Sequence, residues 1–214
     1  MTGAQKNKRS KIQLVWYRFR YGLILFSIRN LFARIGLDIE PYYWFLELKN
    51  GCKEPIIKED VDDYKIDFVS IEEVKRMDKW MGLDGKAMEE AMRKGQLCIG
   101  LRHKDTIASL LSVELNDFVH KHRTFKLEAH SGYLLNVYTF RAYRGKNLAP
   151  YLKYHCFKLL EEYDIDKLYS INSYFNTSSL KMKKKMGARK LKLYLYVGLF
   201  KKRHWNFLLK EYSK

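Results

Sequence analysis

The chain has 214 residues, 47% hydrophobic and 30% charged, and carries a formal charge of +17. That is enough apolar content for one sizeable core and excludes a disordered chain. The charge is uneven: residues 1–34 hold eight Lys/Arg and no acid, and residues 181–214 hold twelve against Glu211 alone, so the ends carry +19 and the middle −2. Anionic groups met at two places fit this split better than a nucleic acid gripped across the whole surface, and the Lys-rich 181–192 segment lacks interleaved aromatics for stacking. Cys52, Cys98 and Cys156 are far apart and odd in number, with no metal-ligand spacing. They read as buried reduced thiols, which implies a cytoplasmic address.

The first 48 residues are basic and aromatic. Ile12, Trp16, Phe19, Leu23 and Phe26 recur at steps of three and four, so residues 1–48 read as a basic amphipathic helical extension. The longest uncharged stretch, Tyr21 to Ile28, is too short to cross a bilayer, which takes ~20 apolar residues. Basic residues beside Trp, Tyr and Phe suit a helix lying on an anionic membrane through residues 5–36, a peripheral position on the inner face. Packing on the protein's own core, or on a second copy in a homodimer, is the alternative.

A mixed α/β domain is expected over residues 60–214. Tyr64 to Val69 alternates as a strand, and Ser70-Ile-Glu-Glu73 is a capping box opening a helix to about Trp80. Asp84 to Lys94 reads as a second helix, ended by Gly95. Leu97 to Ile99 and Ile107 to Leu115 read as strands about the turn His103–Thr106, followed by a polar loop around 116–123 and a strand over Tyr133–Phe140. A helix then buries Leu148, Leu152, Cys156, Leu159, Leu160 and Tyr163, with Pro150 in its first turn. Lys167–Asn172 is a strand, Asn176–Met186 a helix closed by Gly187, and Leu191–Phe200 a half-exposed strand.

The turn FRAYRGKN, residues 140–147, places Arg144, Gly145, Lys146 and Asn147 between a strand and a helix. Helix N-termini present unpaired N–H groups and the positive end of the dipole, a ready site for phosphate. Gly145 permits a tight turn and close approach of a ligand, and Arg144 and Lys146 add cations. The pattern describes a pyrophosphate cradle; a basic, solvated turn is the alternative.

Arg144-Gly-Lys-Asn-Leu-Ala149 resembles the acyl-CoA pyrophosphate loop of the GNAT superfamily of N-acetyltransferases: Gln or Arg, two residues, Gly, one residue, then Gly or Ala. Asn176-Thr-Ser-Ser179 and Lys185-Met-Gly187 resemble that family's second motif, and the order of elements from Tyr64 to Phe200 resembles its fold. The resemblance implies a mixed, mostly antiparallel central sheet flanked by helices over the last two-thirds of the chain. It implies an acyltransferase using acetyl-CoA, or another acyl-CoA, and no metal. Val137 and Thr139 would line the pantetheine arm, with the strand at Tyr169–Asn172 splayed away to make room. Arg144, Gly145, Lys146, Asn147, Leu148 and Ala149 would hold the pyrophosphate, and Asn176 and Ser179 the cofactor's middle. The interfacial N-terminal helix suggests as acceptor a small-molecule or lipid-linked amine, such as an amino sugar or surface-glycan precursor. A catalytically silent binding module for a membrane or a partner protein is the alternative.

Three positions depart from the pattern. Asn147 replaces the loop's central Gly, tolerated because Asn accepts unusual backbone angles. Ala188 replaces a common Phe. Lys183 stands where many relatives carry a Tyr that protonates the leaving thiolate; within Lys181–Lys185 it reads as part of a solvated face, with proton donation as the alternative. Glu114, Glu128 and Asn136 are polar groups that could face the acceptor, with surface or packing roles as the alternative. His120 and His122 read as solvated loop residues.

Overall fold

A computed structural model of the chain describes residues 24–49, 52–76 and 84–212, apart from the side chains of Phe26 and Asn136. Ile12, Trp16, Phe19 and Leu23 of the expected amphipathic face lie outside the described residues, as does the expected helix end near Trp80.

Helix α1 (Ile24–Arg34) leaves Leu25, Leu31 and Ile35 exposed and turns Arg29 back onto Asp38 and Glu40. The helical extension does not continue to residue 48. Residues Leu37–Glu47 form strand β1, pairing antiparallel on both sides within the central sheet. Ile39, Tyr42, Tyr43, Trp44 and Phe45 are strong strand formers that fit a pleated, half-buried surface. Pro41 is accommodated because the ladder on one side begins only at Tyr42.

Strand β2 (Tyr64–Phe68) leads into α2 (Ile71–Lys75) through the expected capping box: Ser70 Oγ accepts from the Glu73 N–H and Glu73 Oε2 from the Ser70 N–H. Helix α3 (Gly85–Arg93) closes at Gly95, whose φ of +97° suits a residue without Cβ. β3 (Leu97–His103) and β4 (Thr106–Glu114) form the expected hairpin. The segment read as a polar loop contains a small hairpin, β5 (Phe118–His120) with β6 (Arg123–Phe125). Phe118 and Phe125 anchor it by stacking against Tyr133 and Trp44.

β7 (Ser131–Thr139), α4 (Leu148–Leu160), β8 (Lys167–Ser173), α5 (Thr177–Lys185) and β9 (Arg189–Leu199) follow as the sequence pattern indicates. Tyr163, expected inside, is exposed in the turn after α4. β10 (Arg203–Glu211), not foreseen, pairs with β9 at the sheet edge. The order across the eight-stranded sheet is β10-β9-β1-β8-β7-β4-β3-β2, with β7 and β8 parallel and the other neighbours antiparallel.

One face of the sheet packs on α4 through Leu111, Val113, Leu148, Leu152, Leu160 and Leu168. The opposite face carries an aromatic cluster of Tyr42, Trp44, Phe125, Tyr133, Tyr169 and Tyr194 under the β5–β6 hairpin. Cys98 and Cys156 are buried free thiols, whereas Cys52 is half-buried beside Met186.

Candidate functional site

Strands β7 and β8 pair over three positions, Ser131–Lys167, Gly132–Leu168 and Tyr133–Tyr169. Beyond Tyr133, β7 stays with β4 and β8 stays with β1, so the two strands part. A cleft of about 770 Å³ opens between Leu134, Leu135 and Val137 on one side and Ser170–Ser173 on the other. Val137 also borders a second hollow of about 480 Å³, above residues 143–150 at the start of α4. The splayed pair therefore leads directly to the helix terminus.

That terminus lacks a side-chain cap. Asn147 adopts the left-handed conformation (φ +68°, ψ +21°) and donates its side-chain amide outward to the Ile56 carbonyl, 2.7 Å away. The N–H groups at the start of α4 stay available, and Pro150 has none to give. Gly145 has φ +88°, and a Cβ placed there would meet nothing within 4 Å. Arg144 is fixed by its Nε–H donating to the Thr139 carbonyl (3.0 Å), with the guanidinium over the Tyr138 ring. Lys146 turns aside to Glu59 (2.6 Å), while Lys58, which the sequence did not single out, lines the hollow. Open backbone, uncapped N–H groups and nearby cations fit a diphosphate. Leu148 buries its side chain in the core, so it contributes backbone alone.

At the floor of the larger cleft lies a charged cluster. Lys183 from α5 is not solvated: it is 5% exposed, and its ammonium donates to Glu47 Oε1 and Ser170 Oγ, each at 2.5 Å. Lys153 from α4 donates to Glu47 Oε2 at 2.5 Å and is 2% exposed. Two buried cations thus share one carboxylate. Burial would raise the Glu47 carboxyl, but Lys183 and Lys153 outweigh it and hold it near 2. Burial lowers Lys183 to about 8 against the opposing pull of Glu47.

Asn176 caps α5 by accepting from the Ser179 N–H (3.2 Å), and both residues line the cleft beside Lys183. Glu128 does not reach it; its exposed carboxylate pairs with Lys167 at 3.1 Å. Asn136 is on β7, but its side chain lies outside the described ones. Glu114 caps its own turn, accepting from the Asn116 N–H. His120 was misread as solvated: with Glu40 it lines the cleft on the face opposite α4 and α5. No group of three His, Cys, Asp or Glu among the described residues is arranged to hold a metal.

A mostly antiparallel sheet flanked by helices, parted at its parallel pair above a helix N-terminus, is a GNAT-like fold. Solved structures agree. An acetyltransferase from the GNAT family of Colwellia psychrerythraea superposes with a TM-score of 0.55 at 10% identity, covering 89% of this chain and 75% of that one. A tandem GNAT protein from the clavulanic acid biosynthesis pathway gives 0.50 at 10% identity, over 89% and 60%. The glucosamine N-acetyltransferase region of a fungal multi-domain beta-N-acetylglucosaminidase gives 0.51 at 12% identity, over 84% and 22%. The chain thus spans about three-fifths of the tandem protein and less than a quarter of the fungal enzyme. No family model and no curated protein sequence matches it.

Proposed function

We propose that the chain is an acyl-CoA-dependent acyltransferase that moves an acetyl group from acetyl-CoA to an amine. The observation that carries this reading is the continuity between the cleft at the parted β7–β8 pair and the uncapped start of α4. A pantetheine arm needs a slot bordered by free strand edge, and its diphosphate needs unpaired N–H groups; the two occur end to end. Val137 and Thr139 would border the arm, residues 144–149 with Lys58 would hold the diphosphate, and Asn176 and Ser179 would flank the middle of the carrier. Lys183 takes the role of proton donor to the leaving sulfur, since it is buried, lines the cleft and is poised near neutral pH.

Isothermal calorimetry with CoA tests the reading. Gly145→Glu would put a bulky anion into the open space above the turn, at a φ that side chains resist. Affinity should fall at least about tenfold, or ~1.4 kcal/mol. A wild-type protein that ignores CoA, or a variant that binds it equally well, refutes the assignment.

An acceptor such as an amino sugar or lipid-linked glycan precursor at the inner membrane face is the narrower proposal, supported by α1. No helix among the described residues is long and apolar enough to cross a membrane. Leu25, Leu31 and Ile35 are each more than 60% exposed, and the chain before residue 35 is basic and acid-free. That combination suits adsorption to anionic lipid. Replacing the three residues by Glu should strip the protein from phosphatidylserine vesicles in a sedimentation assay; undiminished co-sedimentation removes the membrane from the proposal.

A further inference from the structure

The cleft passes through the sheet. Lys153, Lys183 and Ser170 occupy its α4/α5 side, whereas Tyr133, Glu40 and His120 border its other side. A carrier filling the first side leaves its thioester open to attack from the second. His120 ends β5, with its ring edge-on to Tyr42 at 5.1 Å between centroids. Among the described residues, neither of its ring nitrogens makes a hydrogen bond. Glu40, 7% exposed, is held by Arg29 at 2.6 Å and Lys121 at 2.9 Å. The sequence hides this pair, because His120 sits on a three-residue strand and Glu40 in a segment with helical periodicity upstream.

We propose that His120 is the general base of the transfer, taking a proton from an amine that enters the cleft from the hairpin side, with the Glu40 carboxylate as its counter-charge. This deepens the acyltransferase reading and rests on it. The amine lone pair forms a C–N bond to the thioester carbonyl carbon, and the C–S bond breaks. The sulfur leaves with that electron pair and takes a proton from the Lys183 ammonium. The surplus proton on the attacking nitrogen passes to the His120 imidazole.

The surroundings suit a base. Burial lowers the proton affinity of His120, Glu40 on β1 opposes this, and Lys121 and Arg29 add to it. Asp38 on β1 engages the same two cations, and the Tyr42 and Tyr133 phenols flank the site without charge near neutrality. The imidazole therefore enters the reaction neutral, and the Glu40 carboxylate stabilises the imidazolium that forms.

The test follows thiol release from acetyl-CoA against pH, with glucosamine, spermidine or water alone as acceptor. Wild-type kcat/KM should rise with pH through the titration of His120 and fall again above about pH 8, where Lys183 loses its proton. His120→Gln should lower kcat by about 10²-fold and abolish that rise, with CoA affinity by calorimetry and melting temperature unchanged. Glu40→Gln should move the rise to lower pH, because the imidazolium loses its counter-ion. His122→Gln, on a ring stacked against His204, should leave rate and profile intact. A His120→Gln enzyme within about threefold of wild type with the rise preserved overturns the proposal, as does a CoA-binding wild type that releases no thiol with any of the three acceptors. If His120→Gln melts early, the Glu40→Gln shift decides, and an unmoved profile refutes the role. Failure of wild type to bind CoA refutes the acyltransferase reading itself, so the two failures are distinguishable.

Discussion

Glu47→Gln should destabilise the protein by about 3–5 kcal/mol at pH 7, read as a lower urea midpoint with an unchanged slope. Glu47 is 2% exposed and is the shared acceptor for the Lys153 and Lys183 ammonium groups. Removing its charge leaves two buried cations with no carboxylate, and desolvation is then uncompensated. The lysines can relieve this by releasing protons, so the deficit should shrink as pH rises from 7 towards 10.

The wild type carries related signatures. Folding lowers the Glu47 carboxyl from 4.5 to about 2, so its contribution is fully present above 4.5 and disappears as pH falls towards 2. Lys183 is lowered from 10.5 to about 8, so the unfolded chain binds more protons between those values. Stability from this group therefore rises with pH from about 8 to 10.5. Replacing all three charges together, Glu47→Leu with both lysines to Met, should recover most of the loss; equal instability of Glu47→Gln and the triple variant would show that packing, not charge, is responsible.

Lys183→Met should lower kcat by about 10²–10⁴-fold while costing far less stability than Glu47→Gln. The substitution removes one cation from a cluster that holds two, leaving Glu47 and Lys153 as a neutral pair at 2.5 Å. Activity and folding are thereby separated. The wild-type rate should decline above about pH 8 as the ammonium is lost, and the residual rate of the variant should be flat there. Lys183→Tyr, which restores the phenol that the resemblance leads one to expect, should retain activity with the decline moved to higher pH. A Lys183→Met enzyme with near wild-type turnover would leave the cluster a structural device only.

The turn before α4 was legible because its determinants are contiguous: Gly145 and Asn147 take positive φ, and the helix starts at Leu148, directly after Asn147. The parting of β7 and β8 was foreseen through the GNAT resemblance. Lys183 was misjudged for a physical reason. Within Lys181–Lys185 nothing local distinguishes it, and its burial depends on Glu47, 136 positions earlier. That partner sits on β1, which was absorbed into the helical periodicity of the residues before it although Tyr42 to Phe45 carry strand-forming side chains. His120 was missed likewise, since the hairpin that buries it is held by aromatic stacking from β1 and β7, not by its own turn.

The place of β1 in the sheet has a consequence for biosynthesis. Its partners lie at residues 168–173 and 189–199, so the aromatic run Tyr42–Phe45 leaves the ribosome more than a hundred residues ahead of the strands that cover it. Half of the sheet, β10-β9-β1-β8, must await nearly complete synthesis, and until then a sticky, unpaired strand is presented to the cell. Maturation of this chain should accordingly be slow and responsive to chaperone supply, even though the finished molecule buries every one of those rings.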